Sequence, residues 1–172
     1  WDAHDLLVVV QPRDQRALRV LRVDPATGET KLLHEDTDAA WVDIVDGVPA
    51  HTAAGALVTV AGRDGAYRLM VDGEPVTPPT LQVRSVLGVE HDKILFTASG
   101  ADPASTALWT WSSDDLERRT PDRGVHTGHV AGGTLLVSSQ GLETDGWSTT
   151  ARRADGSELS VASFADPPGL LP

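Results

Sequence analysis

Four short apolar runs rich in β-branched residues recur along the chain, at 6–11, 56–62, 93–100 and 134–141. A polar turn follows each, then a second strand-like run, at 17–23, 66–71, 107–112 and 148–154. Each second run ends at an Asp-led turn: Asp24 to Gly28, Asp72-Gly73, Asp114-Asp115 and Asp155-Gly156. These leading aspartates stand 48, 42 and 41 positions apart. A last short run follows each turn, at 30–34, 74–77, 116–119 and 158–164. Asp and Gly belong at such turns because Gly takes positive φ freely and Asp bonds the backbone just ahead of it. Within the runs the pattern alternates: Ile94, Phe96 and Ala98 fall on one side, Leu95, Thr97 and Ser99 on the other. No segment holds an i, i+3, i+4, i+7 stripe for three turns, so no long helix is predicted. Residues 104–119 are the weakest strand prediction and leave room for a helical turn.

A further strand precedes three of the four hairpins, at 42–48, 83–90 and 126–131. Each leads into a turn of polar or small residues: Ala53 to Gly55, His91-Asp92 and Gly132-Gly133. The first unit lacks this strand. Four antiparallel strands every ~40–45 residues is the spacing of a propeller blade. The fold class expected is therefore all-β, a partial β-propeller of about four blades, the first short of its first strand. The blades run approximately over 1–38, 39–81, 82–123 and 124–168, as one segment. A β-sandwich is the alternative, but it does not require Asp turns in register across four units. The expected core holds Leu7, Val9, Leu18, Val20, Val58, Val60, Leu69, Ile94, Phe96, Leu108, Leu135 and Val137. The pattern reads as cut from a larger propeller, whose open edges would seek partners, a second copy among them.

Composition narrows function mainly by exclusion. The 172 residues carry 25 Asp and Glu against 14 Lys and Arg, a formal charge of −11. Phosphate binding needs a basic footprint, so nucleic acid is not an expected partner. No apolar run reaches the ~18 residues of a membrane helix, and no basic-then-apolar leader opens the chain. Cysteine is absent. That removes disulfides, cysteine–zinc sites, iron–sulfur clusters and thiol catalysis. No cofactor motif is present, and none is expected to bind.

The segment Gln11-Pro12-Arg13-Asp14-Gln15-Arg16, through residues 18–23 to Asp24-Pro25-Ala26-Thr27-Gly28-Glu29-Thr30, resembles the propeller of dipeptidyl peptidase IV enzymes, serine peptidases of the prolyl-oligopeptidase class. The likeness continues at Glu35, Thr37 and Trp41. It resumes at Arg63-Asp64-Gly65 with Tyr67-Arg68, at Ser85-Val86-Leu87-Gly88 and at Phe96-Thr97-Ala98-Ser99, and ends in residues 152–156. The resemblance implies the later half of an N-terminal propeller that sits over an α/β-hydrolase domain of the same parent chain. In that family the hydrolase carries a Ser, Asp, His triad and releases N-terminal dipeptides with Pro or Ala second. The propeller restricts and shapes peptide access and contributes two adjacent glutamates that hold the substrate ammonium. No two adjacent Glu occur in this sequence. The fragment is therefore expected to be non-catalytic, and family habit in bacteria points to the cytoplasm. A free-standing propeller-type module binding protein or carbohydrate is the alternative.

Several residue groups invite a chemical reading. Gly146-Trp147-Ser148 resembles the Gly-Trp-Ser run that carries the nucleophile in that family, but G-x-S-x-G needs a second Gly where Thr150 stands. The expectation is a hairpin turn opening a strand. His126 and His129 are three apart, which on a strand places them on opposite faces, so no metal site is expected there. His91-Asp92 falls in a turn. Asp36 and Asp38 open like a calcium loop without its sixth-position Gly or twelfth-position Glu; Asp43 and Asp46 complete a loose acidic group. Asp114, Asp115 and Glu117 beside Arg118-Arg119 read as a solvated charge cluster. No catalytic residue is identified. Trp109 and Trp111 share one strand face and are the candidate aromatics, either stacking a ligand or filling a seam between blades. Trp41 is expected in inter-blade packing, and Trp1 as the remnant of a lost strand.

Overall fold

The structure is a computed structural model in which residues 4–113 and 115–163 are described. Trp1, Asp114 and Phe164 lie outside the described residues, so the expectations placed on them stay as stated. Fifteen strands make four antiparallel sheets, and no helix occurs among the described residues.

Sheet I is β1 (Leu6–Val10), β2 (Ala17–Val23) and β3 (Thr30–Thr37). Sheet II is β4 (Ala50–His51), β5 (Leu57–Arg63), β6 (Ala66–Val71) and β7 (Glu74–Pro75). Sheet III is β8 (Gln82–Glu90), β9 (Lys93–Ser99), β10 (Ala107–Ser112) and β11 (Asp115–Arg118). Sheet IV is β12 (Val125–Ala131), β13 (Thr134–Gln140), β14 (Ser148–Arg152) and β15 (Glu158–Val161). Strands pair in chain order within each sheet. This is the up-and-down meander of propeller blades, with the first of the four one strand short. Residues 107–112 and 115–118 are strands, with no helical turn between 104 and 113.

Two of the Asp turns bond the backbone just ahead, and a third reaches back across its hairpin. Asp24 Oδ1 accepts the Ala26 N–H at 2.8 Å, Asp155 Oδ1 accepts the Ser157 N–H at 2.8 Å, and Asp72, at φ 49°, accepts the Leu57 N–H at 2.8 Å.

The sheets pack face to face. Ile94, Phe96 and Ala98 of β9 meet Val58 and Leu69 of sheet II in one buried cluster. Leu95, from the opposite face of β9, joins Leu108 and then Leu135 and Val137 of sheet IV. All of Ile94 through Ser99 is buried, which an interior strand covered on both faces demands. The expected core is deep at Val20, Val58, Leu69, Ile94, Phe96, Leu108, Leu135 and Val137. Leu7, Val9 and Leu18 are only half-buried, because the seam between sheets I and II is more open, and Val60, packed against the Phe96 cluster, is half-buried too.

One expected strand is absent. Residues 42–48 form an irregular loop, and the strand that opens sheet II is the two-residue β4. Pro49 has no N–H to give a ladder. Gly47, at φ 84°, lies so close to sheet III that an added Cβ would stand 1.7 Å from the Val86 carbonyl oxygen. The loop spends its backbone groups on its neighbours instead: Val42 N–H bonds Gln15 O at 2.7 Å, and Asp46 O accepts from Val86 N–H at 2.9 Å.

Candidate functional site

The loop after β3 and the β5–β6 hairpin frame a cleft of about 310 Å³ at the rim of the sheet I–sheet II seam. Sequence and local geometry fix its walls. Asp38 Oδ1 accepts the N–H groups of Ala40 and Trp41 at 2.7 and 3.1 Å, an Asx turn that sets the Trp41 backbone. Those two bonds hold the Asp38 carboxyl below the usual carboxylate range. Across the cleft the Tyr67 N–H is held by Gln82 Oε1 at 3.1 Å. Burial, then the charge of Asp43, push the Tyr67 phenol up from its ordinary value; Asp36 and Asp38 add to the rise, and the nearby Trp41 indole opposes it.

Charge in the cleft is partly neutralised. Arg63 Nη1 reaches Asp36 Oδ1 at 2.8 Å and also donates to Gly62 O. Arg68 pairs with Asp64 at 2.7 Å. Asp36 is 7% exposed, and behind it lies a water-sized pocket of about 20 Å³. There His34 Nε2 and Thr59 Oγ1 are buried with no hydrogen-bond partner among the described residues.

Trp41 is 57% exposed and lines this cleft, a correction to its expected place in inter-blade packing. The Asp38 turn sets the backbone that carries the ring to the rim. The acidic group of residues 36–46 was visible in sequence. Its meeting with Tyr67, 26 positions beyond Trp41, depends on how the two sheets pack.

The structure places the other candidates as follows. Trp109 and Trp111 lie on the face of β10 turned toward sheet II, packed against the Phe96 cluster. The Arg118 guanidinium sits 5.9 Å from the Trp109 ring centroid. The Trp109 indole N–H is buried without an acceptor among the described residues. His126 is buried between Ser139 Oγ at 2.8 Å and the Arg123 carbonyl at 3.0 Å, while His129 is exposed on the opposite face of β12. Because a carbonyl only accepts, Nε2 carries the His126 proton and Nδ1 accepts from Ser139. Ser148 is exposed and begins β14; its hydroxyl donates to Ser139 O at 3.4 Å. His91 and Asp92 form the β8–β9 turn and hold the turn before β5, through Ala53 N–H to His91 O and Ala54 N–H to Asp92 Oδ1. Glu117 pairs with Arg119, and Arg118 with Asp122.

The protein-family model Dipeptidyl peptidase IV (DPP IV) N-terminal region matches residues 1–141. The chain belongs to this family. A crystal structure of Porphyromonas gingivalis dipeptidyl peptidase 4 superposes with a TM-score of 0.77 at 18% identity, over 92% of this chain and 24% of that one. Oligopeptidase B from Leishmania major follows at TM-score 0.60 and 11% identity, over 98% of this chain and 29% of that one. At such identities the likeness is one of fold. This dipeptidyl peptidase IV N-terminal segment thus spans about a quarter of each of those chains. No curated protein matches it.

Proposed function

We propose that the chain is a non-catalytic β-propeller segment that restricts and shapes the access of peptides to a serine-hydrolase domain elsewhere in its parent protein. The parent activity on this reading is release of N-terminal dipeptides, with Pro or Ala second. The family match across residues 1–141 carries the reading. Its fold supports it: stacked sheets with buried seams make a stiff wall rather than a deformable lid.

Two measurements test it. The isolated segment should release nothing from a Gly-Pro anilide reporter, and inhibitor-sensitive release would refute the non-catalytic part. In the parent protein, the double substitution Trp109→Ala/Trp111→Ala should loosen the sheet II–sheet III seam. The kcat/KM on a long unfolded polypeptide should then rise relative to that on Gly-Pro anilide. An unchanged ratio, with the seam shown to be loosened by hydrogen exchange, would remove the access role.

A further inference from the structure

We propose that the Trp41–Tyr67 cleft binds a basic side chain of a peptide, arginine in preference to lysine. The word peptide rests on the access-shaping reading; the preference for a cation rests on the cleft itself. Four lines of observation converge. The cleft, at about 310 Å³, has room for a guanidinium and its methylene stem. Its aromatic wall is built in advance: the Asp38 turn fixes the Trp41 backbone, and the ring, beside Tyr67 in the cleft wall, remains 57% exposed. A planar cation stacks on such a face, and guanidinium does so more readily than ammonium. The walls carry Asp36, Asp38 and Asp64 against Arg63, with Asp43 close enough to act on the Tyr67 phenol.

The fourth line is the charge left over. Arg63 pairs with Asp36 and Arg68 with Asp64. Asp38 lines the cleft with no ion-pair partner among the described residues, its Oδ1 taken up only by the N–H groups of its own turn. A guanidinium supplies the missing positive charge and brings five N–H donors. An anionic ligand would meet like charge.

The test uses the purified protein with its tryptophan indoles ¹⁵N-labelled. It is titrated with Nα-acetyl-arginine amide and with its uncharged isostere, Nα-acetyl-citrulline amide. The Trp41 indole resonance is expected to shift saturably with the arginine compound. The citrulline compound should need a concentration about fivefold higher or more to reach the same shift. Asp38→Asn keeps an acceptor for the turn and leaves Trp41 as reporter; it should raise the arginine midpoint about threefold. No saturable shift at Trp41, or equal midpoints for the two compounds, overturns the proposal. An unchanged midpoint in Asp38→Asn, with an unchanged melting temperature, also counts against it. Cation selectivity retained in a protein that fails the access test would strike out the peptide and keep the cleft. The reverse pair of results would strike out the cleft and keep the gate.

Discussion

Sheet II presents two unlike faces. Toward sheet III it offers Val58, Leu69 and Val71, which close an apolar seam with Ile94, Phe96 and Ala98, edged by Trp109 with its unpartnered indole N–H. Toward sheet I it offers Thr59 and Arg63 opposite His34 and Asp36, and that seam keeps a cleft, a water-sized pocket and two unpartnered buried polar atoms. Both seams join the same kind of meander through the same kind of turn. The difference is carried by alternate residues of one strand: 58 and 60 on one side, 59 and 61 on the other. A close-packed apolar seam gives rigidity, while a polar seam with unpartnered groups gives a place where something else can bind.

Substitutions can break or sharpen that contrast. Phe96→Ala, at the centre of the apolar seam, should cost about 3–5 kcal/mol in denaturant unfolding. A cost below about 1 kcal/mol would mean that the seam collapses around the hole. Gly47→Ala should cost about 1–3 kcal/mol, because the loop that joins the two seams stands at positive φ against the Val86 carbonyl. Loss of the Val86 amide's protection from hydrogen exchange would mark the site of damage. Thr59→Val, on the polar face of the same sheet, should be neutral or stabilise by up to about 1 kcal/mol, since it replaces an unsatisfied hydroxyl with a methyl. A clear loss of stability there would show that the hydroxyl has a partner in solution, and the contrast between faces would shrink. The smallest effect belongs to pH. Asp24, Asp38, Asp102 and Asp155 are held below the carboxylate value of 3.8 by hydrogen bonds from nearby N–H and hydroxyl groups. A folded pKa below the unfolded one adds stability that is complete above the unfolded value and lost as pH falls through the folded value. The melting temperature should therefore hold near neutrality and decline below about pH 4, with Asp24→Asn showing a shallower decline than the native chain.

The alternation that separates Ile94 from Leu95 is written in the sequence, and both residues are buried where that alternation sends them. The turns at Asp24 and Asp155 are equally legible because each depends on a side chain bonding the backbone two or three residues on. The strand expected at residues 42–48 failed for a reason that local pattern does not contain. Val42 and Val45 are buried as strand residues would be, yet their loop follows the surfaces of its neighbours rather than a ladder. Leu7, Val9 and Leu18 carry the sequence of a buried layer, but their partner face holds Thr59 and Arg63, so they remain half-covered. The cleft was the least legible feature. An exposed tryptophan and a tyrosine in the next sheet have no relation in sequence until the packing of two sheets brings them together.

The backbone bonds between sheets have a thermodynamic reach of their own. Asp46 and Ala53, in the loops on either side of β4, bond Val86 and His91 of sheet III and its turn, and Thr106 bonds both Gly124 and His126 at the start of sheet IV. A chain of units coupled only to nearest neighbours behaves like a row of dominoes. A weakness at one junction divides such a row into two shorter ones. On heating, the junction between sheets I and II is where the row would part.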